Sequence, residues 1–230
     1  MYFKISNTAD MKEIQREVKA LFKYPNFYTP QVVINGLDEV SIPIITMADS
    51  QVISLAIWGL LPKSYNDDWE LFQKLTNTLN INSATLESEL WYRDALSNGR
   101  CIIPVTGFFT SILKNGEIYP YFICPRNEKM LYLAGIYTVL EDGFITCSIL
   151  TGPLEDKIVD YQNLVDYMPI IVGHEDKEAW LSDSTEPCQV KTIMKSSHTT
   201  ELRIKPIAKS LFNQDISYDS MLMSNEHPED

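Results

Sequence analysis

The sequence predicts an α+β fold with a mixed, mostly antiparallel β core and flanking helices. Short clusters of β-branched and aromatic residues recur along the chain, as in Val32-Val33-Ile34 and Ile42-Pro43-Ile44-Ile45, a distribution that suits strands better than a helical bundle. Turn residues punctuate those clusters, among them Asn35-Gly36, Asn115-Gly116 and Asp142-Gly143. The chain has 230 residues, 45% of them hydrophobic, enough to bury one large core within a single domain over residues 1–212.

In chain order, residues 10–24 carry apolar side chains at Met11, Ile14, Val18, Leu21 and Phe22 behind Asp10, the spacing and N-cap of an amphipathic helix. Val32–Ile34, Ile42–Thr46 and Val52–Trp58 read as strands, and the run ends at Trp58-Gly59-Leu60-Leu61-Pro62. Helical patterns return at about 66–79 and 86–98. From Cys101 the segments Cys101–Val105, Tyr121–Cys124, Leu131–Val139 and Phe144–Leu150 read as an antiparallel meander, with Lys114-Asn115-Gly116 and Glu141-Asp142-Gly143 as hairpin turns. Leu154–Asn163 is expected to be a short helix, Pro169–Val172 a strand and Glu175–Leu181 a helix, while the acidic stretch 213–230 has the composition of a poorly ordered tail.

Composition narrows the function. Acidic residues outnumber basic ones by 31 to 19, a formal net charge of −12, which disfavours a global nucleic-acid surface because that affinity comes from Lys and Arg neutralising phosphates. A local basic groove stays open, and Lys4, Lys191, Lys195, Arg203, Lys205 and Lys209 are its candidates, against an ordinary solvated face. The first 23 residues alternate apolar and charged positions, and no apolar run nears the roughly 18 residues of a membrane span. A soluble cytoplasmic protein without a membrane partner is expected. Cys101, Cys124, Cys147 and Cys188 form no CxxC pair, and His174, His198 and His227 show no ligand spacing, so neither a metal nor a cofactor is expected. Cys101 reads as inert filling of an apolar strand and the histidines as surface residues.

No short motif carries chemistry alone, but an ordered series does. Trp58-Gly59-Leu60-Leu61-Pro62, then Arg93-Asp94-Ala95, then Arg100-Cys101-Ile102-Ile103-Pro104-Val105-Thr106-Gly107-Phe108-Phe109 resembles the WGLIP and RCLIPADGFYEW blocks of the SOS response-associated peptidase (SRAP) family. Tyr119-Pro120-Tyr121-Phe122-Ile123, Leu133-Ala134-Gly135-Ile136-Tyr137, Ser148-Ile149-Leu150-Thr151 and Met168-Pro169-Ile170-Ile171 are similar to its YPYFI, FAGIY, SIIT and MPVIL blocks. The resemblance covers roughly residues 1–182. It implies the family's β-barrel-like core and its partner, single-stranded DNA carrying an abasic site.

The resemblance also implies a chemistry. In the family, removal of the initiator Met exposes an N-terminal Cys whose α-amine attacks the abasic-site aldehyde and whose thiol closes a thiazolidine, helped by a Glu, a His and an Asn. An α-amine near pKa 8 is partly nucleophilic at neutral pH, and a β-thiol is placed to trap the imine. Residue by residue, Tyr2 stands at the Cys position, where its bulk opposes Met removal and leaves the amine on Met1. Thr110 replaces the Glu and Ser111 the following Trp, so no carboxyl remains to shuttle protons. Gln162 takes the His position if the IHNxxKRMP form applies, and Val165 takes it under the shorter HxRMP form; neither titrates. Registering the NARAETL-like segment retains Asn80 as the catalytic Asn, or as a helix cap, and places Asn82 where the family has a phosphate-contacting Arg and Ala84 where it has Glu. Tyr167 likewise replaces an Arg.

Lys4, Trp58 and Asn82 are the positions expected to face DNA, Trp58 either as a core residue or as a stacking platform. Three functions are compatible with this pattern. The first is a pseudoenzyme that keeps a weak single-stranded DNA or abasic-site groove. The second is an active enzyme, cross-linking or peptidase-like, that uses a non-standard amine, and the third is a protein-interaction module on the same fold.

Overall fold

The computed structural model describes residues 2–86, 88–127, 130–195 and 200–209. Its elements in order are β1 (Lys4–Asn7), α1 (Met11–Val18), β2 (Leu21–Phe22), β3 (Gln31–Asn35), β4 (Ser41–Thr46), β5 (Asp49–Trp58), α2 (Trp69–Leu75), β6 (Asn80–Asn82), α3 (Leu90–Asn98) and β7 (Arg100–Val105). There follow β8 (Gly107–Lys114), β9 (Glu117–Pro125), β10 (Leu131–Val139), β11 (Ile145–Pro153), β12 (Tyr167–Pro169), β13 (Ile171–Val172), α4 (Lys177–Leu181), α5 (Pro187–Lys195) and β14 (Leu202–Pro206). The α+β class with antiparallel-rich sheets is as the sequence implies.

The strands form a five-stranded sheet, β14-β9-β8-β1-β3, and a nine-stranded sheet, β12-β11-β10-β7-β4-β5-β2, on which β13 and β6 are additional partners. The larger sheet curls until β5 meets β11 again, over the two parallel pairs Thr146–Ile57 and Cys147–Trp58. The core is thus barrel-like without being a fully hydrogen-bonded barrel. Period-two alternation distributes side chains between two hydrophobic layers. Cys101, Ile103 and Val105 of β7 face the five-stranded sheet with Ile5, Phe108 and Ile123. Ile102 faces the other way, into a layer with Ile14 and Val18 of α1, Trp180 of α4 and Val190 of α5.

Several expectations are corrected here. The helix over residues 10–24 stops at Val18, because Lys19 adopts the left-handed conformation (φ 55°) and caps it, freeing Leu21–Phe22 to pair with β5. Its N-terminus forms as expected, with the Asp10 carboxylate accepting from the Glu13 amide at 2.8 Å. The meander is split: after Thr106 the chain leaves the larger sheet, β8 and β9 build the smaller one, and β10 returns to pair with β7. Their hairpin uses Asn115 and Gly116, both at positive φ (55° and 77°), the geometry a two-residue turn demands. Leu154–Asn163 holds only a 3-10 turn at Val159–Tyr161, and α2 and α3 are shorter than their patterns, with β6 between them.

Arg100 shows why the first half of the RCIIP block matters. Its guanidinium donates to the carbonyls of Leu96 (2.9 Å) and Ser97 (3.2 Å) at the end of α3 and to those of Trp180 (2.8 Å) and Ser182 (2.5 Å) around α4. One buried cation thereby satisfies the orphan carbonyls of two helices. Trp180 in turn donates from its indole to the Cys101 carbonyl at 2.8 Å. Among the described residues no helix is long and apolar enough to cross a membrane. The tail at 213–230, His198 and His227 lie outside the described residues.

Candidate functional site: the Tyr2 pocket

Residues far apart in sequence meet at Tyr2. Ile5 pairs with Phe108, which lays β1 beside β8 and carries the chain start into the gap between the two sheets. The Tyr2 side chain is 2% exposed, edge-on to Phe108 with ring centroids 5.5 Å apart, and near Tyr167 at 6.5 Å. Its hydroxyl donates to Gln162 Oε1. Thr110, on the inward face of β8 with Phe108, donates to the same oxygen at 2.5 Å.

Gln162 is the hub. Its amide Nε2 donates to the carbonyls of Val165 (2.9 Å) and Tyr167 (2.7 Å). Both donor hydrogens and both acceptor lone pairs are therefore used. The reverse orientation of the amide would set its oxygen against two carbonyls, so the assignment is unambiguous. Burial pushes the Tyr2 hydroxyl well above its usual value despite the bonds to Thr110 and Gln162 that pull it down. The phenol stays protonated at neutral pH and is no base.

The loop that presents Gln162 is stapled in place by its neighbour. Asn163 Oδ1 accepts from the Leu113 amide (2.8 Å) and Asn163 Nδ2 donates to the Leu113 carbonyl (2.9 Å), imitating a strand partner at the end of β8. Asn163 was missed as a site residue, although the Asn of the IHNxxKRMP block marks it.

Asn80 is not a helix cap, since α2 ends at Leu75 and Asn80 lies in β6, paired in parallel with Ile149. Its Nδ2 donates to the Tyr2 carbonyl at 2.5 Å, while its buried Oδ1 has no hydrogen-bond partner. Asn82 is half-buried and turned to local work, its Oδ1 accepting from the Ala84 amide at 2.9 Å. Val165 accepts from Gln162 Nε2 through its carbonyl, and its side chain packs against the core cluster that contains Tyr2. Ser111, on the outward face of β8, is buried elsewhere.

Two of the positions expected to face DNA are buried. Trp58 is fully buried, its indole donating to the Leu79 carbonyl at 2.8 Å and its ring so close to Gly36 that a Cβ there would lie 2.7 Å away. No face of it is open to a base. Lys4 is 4% exposed, with its ammonium 6.0 Å from the Phe3 ring, so it is not a surface cation. The other basic candidates divide: α5, bearing Lys191 and Lys195, packs on α4 and β13, while Arg203 and Lys205 lie on β14 at the edge of the smaller sheet. Lys209 is paired with Glu117 at 2.6 Å.

The cysteines are free; Cys101, Cys124 and Cys147 are buried and Cys188 is exposed. Burial pushes the Cys101 and Cys147 thiols up, away from reactivity. His174 is half-buried rather than a surface residue, stacked on Tyr132 at 4.2 Å.

The fold defines a class: two-sheet, antiparallel-rich α+β proteins with a barrel-like core. The chain belongs to the SOS response associated peptidase (SRAP) family, whose model matches residues 1–214. It is 31% identical over 139 residues to Abasic site processing protein YMR114C of Saccharomyces cerevisiae and 28% identical over 143 residues to Abasic site processing protein YobE of Bacillus subtilis. Those alignments cover 58% and 60% of this chain but only 36% of the yeast protein and 62% of the Bacillus protein. The crystal structure of a Bacteroides thetaiotaomicron protein shares the fold over 93% of this chain and 95% of that one, with a TM-score of 0.83 at 23% identity. A Bordetella bronchiseptica protein shares it over 90% of this chain and 99% of its own, with a TM-score of 0.74 at 15% identity.

Proposed function

We propose that this chain is a catalytically impaired SRAP protein, one family domain over residues 1–212 that engages single-stranded DNA weakly and without a covalent bond. The observation that carries the reading is the saturation of Gln162 by Tyr2, Thr110, Val165 and Tyr167. No donor or acceptor on it is left for an aldehyde or an imine. A phenol on the second residue cannot close a five-membered ring onto an imine as a β-thiol would, and neither a Thr hydroxyl nor a Gln amide can move the proton that step requires. The excess of acids and the Asn at position 82 support weak DNA contact.

The test is incubation with single-stranded DNA bearing one abasic site, resolved on a denaturing gel beside the variant Tyr2→Cys/Thr110→Glu/Gln162→His. An adduct from the variant alone is the expected result. An adduct from the native chain overturns the proposal.

One observation favours a second reading, imine chemistry by the α-amine of Met1. Asn80 keeps the family's residue, binds the main chain at Tyr2 and has an unsatisfied buried oxygen beside it.

A further inference from the structure

A cavity of about 300 Å³, separate from the Tyr2 pocket, is lined by Pro62, Phe72, Thr76, Glu89, Trp91 and Tyr92. It sits where the two hydrophobic layers meet. Phe72 of α2 packs on the layer that contains Tyr2 and Trp58, whereas Trp91 and Tyr92 of α3 pack on the layer that contains Ile102 and Trp180. Three aromatic rings and one carboxylate therefore converge on a single small space from α2 and the start of α3.

The rings form angled walls. The planes of Phe72 and Trp91 are 82° apart with centroids separated by 6.4 Å, and Tyr92 lies against Trp91 at 4.4 Å and 43°. Tyr65 backs Phe72 at 4.8 Å. A single cation in the cavity can thus lie within the roughly 6 Å of both the Phe72 and Trp91 centroids over which a ring face attracts it.

Charge fixes the sign of the ligand. Glu89 is exposed and its side chain makes no capping bond to α3. Burial and then the Glu89 charge raise the Tyr92 hydroxyl, which sets that carboxylate beside the aromatic cluster. Such a field repels phosphate and attracts a cation. A primary ammonium would have to shed hydrogen-bonded water onto ring faces that accept poorly, whereas a quaternary ammonium has no N–H to satisfy and presents apolar methyl groups to the walls.

We propose that Phe72, Trp91, Tyr92 and Glu89 form a cage for a quaternary ammonium group, borne by a small molecule or by a methylated lysine side chain.

Trp91 gives the experiment its readout, because Trp58, Trp69 and Trp180 are buried and Trp91 is the one partly exposed indole among the chain's four tryptophans. In the full chain, choline is expected to change the tryptophan emission saturably, and neutral dimethylbutanol, in which carbon replaces the charged nitrogen, to bind about tenfold more weakly. Glu89→Gln, at an exposed position that leaves the fold intact, is expected to weaken choline about fivefold, and Phe72→Leu, which removes one wall, about tenfold. A trimethyllysine peptide that binds more tightly than choline, with its unmodified counterpart silent, assigns the source to a polypeptide; one that binds no more tightly assigns it to a small molecule. Equal binding of choline and dimethylbutanol, no saturable response to choline, an unchanged affinity in Glu89→Gln, or a single-stranded oligonucleotide that alters the emission and is not displaced by choline would each overturn the cage.

Discussion

The two faces of the five-stranded sheet are built from adjacent residues and treat polar groups in opposite ways. On the inner face Phe108 and Thr110 meet Tyr2 and Gln162, and the hydroxyls of Tyr2 and Thr110 and both ends of the Gln162 amide are paired within a sealed pocket. On the outer face Phe109 and Phe122 border an open cleft edged by exposed cations. A one-residue step along β8 separates a buried, fully hydrogen-bonded pocket from an open, largely apolar cleft. The Tyr2 pocket is part of the buried core, and the open cleft lies on the other face of the same sheet.

The largest expected effect lies inside. Tyr2→Ala removes a buried aromatic ring and leaves a cavity, and is expected to cost about 3 to 5 kcal/mol in denaturant unfolding. Val32→Ser, in the outer cleft, is expected to stay within about 0.5 kcal/mol of the native chain. Equal effects would erase the distinction between the faces.

Gln162→Leu sharpens the contrast. It strands two hydroxyls and two carbonyls and is expected to cost about 3 kcal/mol, whereas Thr110→Val, which removes one of the two hydroxyls and keeps the shape, is expected to cost about 1 kcal/mol. A Gln162→Leu variant as stable as the native chain would mean that the network contributes nothing.

The next effect is a pH dependence. Burial raises the Tyr2 hydroxyl above its ordinary value. Its contribution is complete below pH 10, and it is lost as the pH climbs toward the folded-state value, because only the unfolded chain then releases the proton. Tyr28, Tyr137 and Tyr167 are raised in the same direction, so the native chain should weaken above pH 10 through several groups. Tyr2→Phe is expected to cost about 1 kcal/mol at neutral pH and to make that alkaline decline shallower. An identical alkaline slope would contradict the burial of the phenol. The smallest effect is chemical: Cys188 should be alkylated rapidly in the native chain while Cys101 and Cys147 resist.

Much of the scaffold was legible because its signals are local. Asp10 announced the start of α1, Asn115-Gly116 the hairpin, and the run Cys101–Val105 a strand. The end of α1 was not legible, since nothing in the apolar spacing marks Lys19 for the left-handed conformation. Nor was the split of the meander, because pairing between β7 and β10 depends on contacts across the sheet rather than on neighbours in sequence. Tyr2, Thr110 and Gln162 were singled out by register and do come together, but their mutual saturation was not legible: it depends on carbonyls at Val165 and Tyr167, which leave no trace in side-chain type. Trp58 was open to two readings, a core residue or a stacking platform, and its depth agrees with the first.

The proposed inability of the Tyr2 pocket to perform chemistry on an aldehyde is open to a direct test. The most direct measurement adds sodium borohydride to the native full chain mixed with single-stranded DNA carrying an abasic site, so that hydride reduces any imine to a stable amine before denaturing electrophoresis. Free DNA at its unmodified mobility is expected. A borohydride-dependent shifted band, mapped to the α-amine of Met1 and lost in Asn80→Ala, would contradict it and assign the pocket a working amine.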